Sequence, residues 1–401
     1  MAVCAGLAVV AAGAGGGCAE PQSPPQPVAS SSTPAVAPEL PAHVARLPVV
    51  RSNQTGDLRL LPSRDGVLVV ATYFGGGSTK GTPRPKIERD ESAAWWCAGP
   101  PCEIAARPGP MPDRNPLSIA DERGVVYALP SAEAGPSVID LARCDPTGCR
   151  PAGTVRPPLR QRLVLAVAVD GPDLLLLHTD RAVNGQQPPP AVSELWLARC
   201  PIASCSTGFA DHRVATAPHR WLASDLALAV RNGHPVVAYQ VWQTDRTMFL
   251  LCADRACARP ARPVEVAGQD RLHWHSMRIL GDGRIAVLAG LTLTTCDDPT
   301  CTTMSVVRLP DGRGKAAYRT DLTVDRDGRL LVVTADNSGD VLLRSCADPA
   351  CRTSSSVVVG LNSPGHGSTL AVAVDTAGRP LIGWLSHDTL TLVACRNPGC
   401  R

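Results

Sequence analysis

LTVDRDGRLLVVTADNSGDVLLRSCADPACRTSSSVVV, residues 322–359, is one copy of the unit from which most of the chain is built. Two apolar runs flank the turn DRDGR, a third run ends on Cys346, and a fourth follows Cys351. Alternation at period two, bounded by Gly, Asp and Pro, is the pattern of strands and not of a helix. The unit therefore reads as four strands, A to D, with a C-x4-C pair at the C-to-D hairpin. Similar A–B pairs are LALAVRNGHPVVAY (226–239) and LAVAVDTAGRPLIGW (370–384).

Fourteen of the sixteen cysteines fall in such pairs: Cys97/Cys102, Cys144/Cys149, Cys200/Cys205, Cys252/Cys257, Cys296/Cys301, Cys346/Cys351 and Cys395/Cys400. First cysteines are 47, 56, 52, 44, 50 and 49 residues apart. A repeat of this length is one supersecondary unit that buries its apolar face only against its neighbours. The expected fold is all-β, a seven-bladed β-propeller of four-stranded blades with one C-to-D hairpin disulfide per blade. The last unit ends at Arg401 without a D strand, while HVARLPVV (43–50) precedes the first unit with no A, B or C strand of its own. The N-terminal strand is thus expected to complete the last blade and close the ring, which removes open sheet edges. A β-solenoid leaves the missing strand unexplained.

The repeat resembles a group of uncharacterised bacterial β-propeller proteins. Their D-x-x-G-x-P-h-h turn matches Asp375, Gly378 and Pro380, and their h-x-x-C-x-D-P-x-C hairpin matches Cys346, Asp348, Pro349 and Cys351. The resemblance spans nearly all of residues 44–401; it implies the architecture and brings no activity with it.

AGLAVVAAGAGGG (5–17) is apolar and uncharged. It is shorter than the roughly 20 residues of a membrane span and suits the apolar region of a signal peptide. Cys18 follows, then a Pro/Ser/Ala-rich stretch that reads as an extended, disordered tether. This order resembles a bacterial lipoprotein N-terminus, which implies lipidation of Cys18. Secretion without a lipid and an uncleaved anchor are the alternatives. The expected organisation is a signal peptide over 1–18, a tether over 19–42 and a propeller over 43–401, in the cell envelope outside the cytoplasm.

Composition narrows the function. Of 401 residues, 44% are hydrophobic, 19% are charged and the net charge is +3. That balance offers no phosphate-tracking surface, so nucleic acid is not an expected partner. Aromatics are 3%, too few for a stacking platform. Sixteen cysteines argue for an oxidising compartment. Pairs flanking a four-residue turn are within disulfide reach if they face each other across adjacent strands. Structural zinc and a redox-active dithiol are the other readings of such pairs; isolated pairs fit poorly with four-ligand zinc sites. Closing each six-residue loop contributes about 2 kcal/mol on the chain-entropy model. Each staple is expected to stiffen its own hairpin without joining blades.

The A–B turns are short and centred on Asp65-Gly66, Asp170-Gly171, Asn232-Gly233, Asp282-Gly283 and Asp327-Gly328. With the stapled hairpins they make one uniform face. Length variation falls on the opposite face, in segments such as 75–92 and 180–192, and variable loops on a rigid scaffold are where binding concentrates. His212, His219, His273, His275 and His366 are assigned to D–A connections or A-strand starts, and His178 and His387 to B-strand ends. All seven map to that face as candidate ligand-binding residues. His273 and His275 flank Trp274 and point to one side of an extended strand, where His366 or Asp270 could join them around a metal. The plainer reading is histidines satisfied by backbone or solvent. Trp196 reads as packing between blades, and one of Trp95 and Trp96 is expected to face solvent.

No H-E-x-x-H, G-x-S-x-G or phosphate-loop signature is present, so no catalytic residue and no cofactor is assigned. The expected function is a monomeric, non-enzymatic binding or scaffold module, membrane-attached through its lipid, for an unknown protein, peptide or glycan. The alternative is a metal-binding protein or metal-dependent enzyme using the histidines. Deleting residues 19–40 is expected to leave the urea-unfolding midpoint unchanged, whereas deleting 43–50 should cost about 3 kcal/mol or more, the range of a severe structural loss.

Overall fold

The computed structural model describes residues 43–48, 57–73, 91–97, 117–120, 126–129, 139–145, 148–155, 162–180, 193–205, 210–217, 226–241, 246–259, 263–266, 275–298, 300–310, 319–335, 339–360, 369–385 and 389–400. Among them the chain forms strands, with no α-helix and one 3-10 turn at Ile202–Ser204. The expected signal peptide, Cys18 and the tether lie outside the described residues.

Strand β1 (His43–Pro48) comes first. β2 (Asp57–Ser63), β3 (Gly66–Tyr73) and β4 (Glu91–Cys97) form the first sheet. β5 (Leu117–Ala120), β6 (Val126–Leu129), β7 (Ile139–Asp145) and β8 (Gly148–Val155) form the second. β9 (Arg162–Asp170), β10 (Asp173–Asp180), β11 (Ser193–Pro201) and β12 (Ala210–Ala217) form the third. β13 (Leu226–Arg231), β14 (His234–Val241), β15 (Arg246–Leu251) and β16 (Val264–Val266) form the fourth. β17 (His275–Ile279), β18 (Ile285–Ala289), β19 (Thr292–Cys296) and β20 (Met304–Arg308) form the fifth. β21 (Arg319–Val324), β22 (Leu330–Ala335), β23 (Val341–Cys346) and β24 (Ser354–Gly360) form the sixth. β25 (Leu370–Val374), β26 (Pro380–Leu385) and β27 (Thr389–Ala394) form the seventh, and β1 joins it along β27 with His43 opposite Ala394 and Pro48 opposite Thr389. All pairings are antiparallel; among the described residues six sheets have four strands and one has three.

The first strand of each sheet packs on the first strand of the next, β2 on β5 through to β21 on β25, and β25 packs on β2. The apolar core lies in the seams between successive sheets. Alternate residues of a strand serve the two seams: Leu330 and Val332 join the fifth-sheet side, Leu331 and Val333 the seventh-sheet side. Covering a sheet on both faces explains why Trp95 and Trp96 are both buried, against the expectation that one meets solvent. The Trp96 indole donates to the Asp65 carbonyl at 3.2 Å.

Five disulfides are described: Cys200–Cys205, Cys252–Cys257, Cys296–Cys301, Cys346–Cys351 and Cys395–Cys400, with Cα separations of 4.7–5.0 Å. Cys97 and Cys144 are also disulfide-bonded. Cys102 lies outside the described residues, and Cys149 stands opposite Cys144 in register. That face-to-face register does not hold in later sheets. Cys296 is opposite Met304, and Cys346 opposite Ser354. Cys257, Cys301, Cys351 and Cys400 instead have φ of 55–57°, the left-handed region that side chains disfavour. The cause is the residue two after the first cysteine. Asp254, Asp298 and Asp348 each accept backbone N–H bonds from residues two, four and five further on, and Asn397 from Gly399. Such side-chain turns wind the loop into a compact coil before the next strand starts.

The staples also reach beyond their own hairpins, which corrects the expectation that they do not join blades. Cys252 and Cys257 share a buried cluster with Leu175, Leu177 and Leu197 of the third sheet. Cys296 and Cys301 share one with Val236, Ala238 and Phe249 of the fourth. Cys346 and Cys351 lie with Leu288 and Leu293 of the fifth, Cys395 and Cys400 with Leu331 and Val333 of the sixth, and Cys97 with Ala371 and Leu392 of the seventh. Polar contacts run the same way. Thr295 Oγ1 donates to the Pro349 carbonyl at 3.3 Å, and Arg352 Nη2 to Ser305 Oγ at 2.9 Å. A seam poor in aromatics gains apolar volume from cystine sulfur, a small polarizable hydrophobe.

The close approach of sheets six and seven depends on Gly360, where an added Cβ would lie 2.6 Å from Trp384 Cη2. Gly360→Ala is expected to lower stability by about 1–3 kcal/mol, the usual cost of overpacking, read as a lower urea midpoint at unchanged slope.

Candidate functional site

Antiparallel order places the A–B turns and stapled C–D loops at one end of each sheet, and the B–C and D–A connections at the other. At the stapled end, charge is paired within the protein. Arg199 on β11 donates through Nε to Asp173 at 2.8 Å and through Nη2 to Asp170 at 2.5 Å. Its Nη1 donates to the Arg255 carbonyl of the fourth sheet's loop at 2.9 Å. The Arg255 guanidinium returns to Asp170 at 3.0 Å. Burial pushes the Asp170 carboxyl up, but hydrogen bonds from Arg199 and Arg255 outweigh it and hold the group below the ordinary carboxylate range. Hydroxyl donors from Thr300 and Thr303 hold Asp298 well below that range. Arg329 and Arg379 are bonded to Asp325 and Asp375 of their own turns at 2.8 Å.

The other end has a different character in the third sheet. His178 on β10 stands opposite Trp196 on β11, which stands opposite Arg213 on β12. The row is held by two carboxylates. His178 Nε2 lies 3.0 Å from Asp211 Oδ1, both side chains being buried. Glu194 accepts the Trp196 indole N–H at 3.2 Å on one oxygen and Arg213 Nη1 at 2.9 Å on the other. Glu194 therefore fixes the indole and the guanidinium beside each other, while the Arg213 side chain stays 58% exposed. The row approaches the end of β10 and the start of β11, which flank the B–C connection over 181–192. Thr179 closes the same corner by donating to the Glu194 carbonyl at 2.8 Å.

A second polar group lies near the starts of the inner strands. Asp321 on β21 accepts from Ser276 Oγ on β17 at 2.6 Å and from the Val372 N–H on β25 at 2.9 Å. One carboxylate thus ties three consecutive sheets together.

Of the histidines singled out in the sequence, His178 sits near its B-strand end as expected, but buried against Asp211. His212 is a correction. It lies in β12 opposite Leu197; burial pushes the Asp254 carboxyl of the fourth sheet's stapled loop up, but backbone N–H bonds and, after them, the nearby His212 hold it below the ordinary range. The D strand begins at Ala210, so His212 occupies its stapled-end start and not a D–A connection. His275 opens β17 opposite Ala289. His219, His273, His366, His387 and Asp270 lie outside the described residues. Among the described residues no group of three or more His, Cys, Asp or Glu side chains could hold a metal ion. No described helix is long and apolar enough to cross a membrane.

Asp211, Glu194 and Arg213 were missed in the sequence. The available signal is Glu-x-Trp at 194–196 and Asp-x-Arg at 211–213. Two-residue spacing on a strand puts each pair on one face.

No protein-family model and no curated protein matches the chain. Among solved structures, a chain in "Crystal Structure of Mitotic Checkpoint Complex" is similar over 94% of this chain and 99% of that chain, at 8% identity and a TM-score of 0.50. A gluconolactonase from Xanthomonas campestris is similar over 88% of this chain and 91% of that one, at 9% identity and a TM-score of 0.41. The first of these is a β-propeller-type fold, and at such identity the likeness to it is of fold alone.

Because the folded state depresses the Asp170 pKa, its contribution is complete above the unfolded carboxylate value of about 3.9 and is lost as pH falls below it. Asp170→Asn is expected to cost about 1–3 kcal/mol at pH 7 and to flatten the fall in urea midpoint between pH 5 and about 2, the window set by that linkage.

Proposed function

We propose that this protein is an extracytoplasmic seven-bladed β-propeller, closed by β1 and tethered through a lipid on Cys18. It acts as a non-enzymatic binding or scaffold module through the end that carries the B–C and D–A connections. Ring closure is supported by the pairing of β1 with β27, by β25 packing on β2, and by Cys97 sharing a cluster with the seventh sheet. The disulfides point to an oxidising environment outside the cytoplasm.

The observation that carries the binding reading is the contrast between the two ends. At the stapled end Asp170, Asp325 and Asp375 are held by arginines of their own or a neighbouring loop. The His178–Trp196–Arg213 row instead presents an exposed guanidinium beside an oriented indole, next to a connection of irregular length. Trp and Arg are the side chains that most often anchor recognition. The ligand is a protein, peptide or glycan of the cell envelope, bound by a monomer.

The test compares two charge reversals. Arg213→Glu is made in the row, and Arg255→Glu, also exposed, at the stapled end. Binding of full-length, oxidised protein to purified peptidoglycan and to envelope protein fractions is measured by titration. Arg213→Glu should weaken the interaction about tenfold or more, the effect of one anchor residue, while Arg255→Glu leaves it unchanged. Equal effects would overturn the assignment of the binding end. Elemental analysis of the same protein adds a check: stoichiometric metal that disappears in His273→Ala and His275→Ala would replace this reading with the metal-dependent one.

A further inference from the structure

The cystines that staple the hairpins of sheets three to seven are buried. Cys257, Cys296 and Cys301 are 0% exposed, Cys200, Cys346 and Cys395 are 1%, and the most exposed, Cys252, is 6%. They are shielded by the seam with the preceding sheet, since each cystine from Cys252–Cys257 to Cys395–Cys400 belongs to a buried cluster that includes that sheet. In contrast, the contacts that shape the loop come from the hairpin itself. Asp254, Asp298 and Asp348 gather the backbone N–H groups of their own turns. The N–H groups of Cys257, Cys301 and Cys351 donate to the carbonyls of those same three aspartates at 2.9–3.1 Å. The geometry that brings two cysteines together is therefore available before any sheet docks.

We infer that each hairpin is oxidised before its sheet packs on the preceding one, by a disulfide-bearing thiol oxidant acting on the undocked chain. One cysteine thiolate attacks the carrier's disulfide, forming a mixed disulfide and releasing one carrier thiolate. The second cysteine attacks the protein sulfur of that mixed disulfide, closing the cystine and releasing the carrier as a dithiol. Two electrons and two protons pass from hairpin to carrier for each staple. The first displacement needs a protein thiolate to reach the carrier's disulfide, and the second needs room for the carrier held in the mixed disulfide; the docked seam leaves little such approach. The reaction that must precede assembly is thus thiol–disulfide exchange on an open chain. This order is independent of what the finished protein binds.

The experiment uses the full chain. Reduced protein in urea is diluted into oxidised and reduced glutathione, quenched at intervals by thiol-specific mass tags, and mapped by peptide. Near-UV circular dichroism follows side-chain packing in parallel. Oxidation at the staples of sheets four to seven should precede the near-UV signal, and omitting the oxidant should abolish that signal. In the converse direction, native oxidised protein exposed to dithiothreitol should be tagged about 100-fold or more slowly than protein in urea, because reduction has to wait for a seam to open. A reduced chain that acquires the native near-UV signal before its thiols disappear would overturn the inference. So would native staples reduced as fast as unfolded ones.

Discussion

Seven β-sheets have to be packed face to face by a chain with 3% aromatic residues, and this scarcity shapes the rest of the molecule. A seam between twisted sheets needs apolar volume near its rim, where strands diverge. Here Leu, Val and Ala dominate the described seams, and cysteines of the staples join five of them. The disulfide is therefore both a crosslink and a core residue. Its crosslinking contribution depends on loop entropy; its packing contribution depends on the preceding sheet, because that is where its sulfurs are buried. Losing one staple would loosen a hairpin and a seam together.

The same arrangement separates the two ends chemically. Stapled loops lean on the preceding sheet, so their charged groups meet partners across the seam. Arg199, Asp170, Asp173 and Arg255 form one such network, and Asp297, Ser305 and Arg352 another. At the opposite end the third sheet carries a row with histidine, tryptophan and arginine oriented by Glu194 and Asp211. A buried His–Asp contact at 3.0 Å fixes the inner part of that row, while its outer part meets solvent.

Much of this architecture was legible from spacing. A two-residue period identifies strands, the C-x4-C recurrence counts units, and the short Asp/Gly turns assign hairpins. The segment 43–50 was expected beside the last unit, and β1 pairs with β27 there. Less legible was the shape of the stapled loops. Face-to-face cysteines are the simplest geometry for a hairpin, but the aspartate or asparagine two positions on captures the backbone and turns the second cysteine left-handed. The candidate row was illegible for another reason. His178, Trp196 and Arg213 are far apart in sequence, and their alignment depends on the register of β10, β11 and β12, which shifts between β11 and β12 at Leu195 and Trp196.

The amino-acid sequence alone pointed to the β class, the repeat and the partners in the five described disulfides, because each depends on periodicity within a few residues. Which sheet each cystine packs against, and which side chains share the row in the third sheet, were decided only by tertiary structure. Both depend on register and on the neighbour that covers a given face, and no local pattern encodes either. His212 is the clearest case: its residue type suggested a site, but the start of its strand placed it at the stapled end beside Asp254.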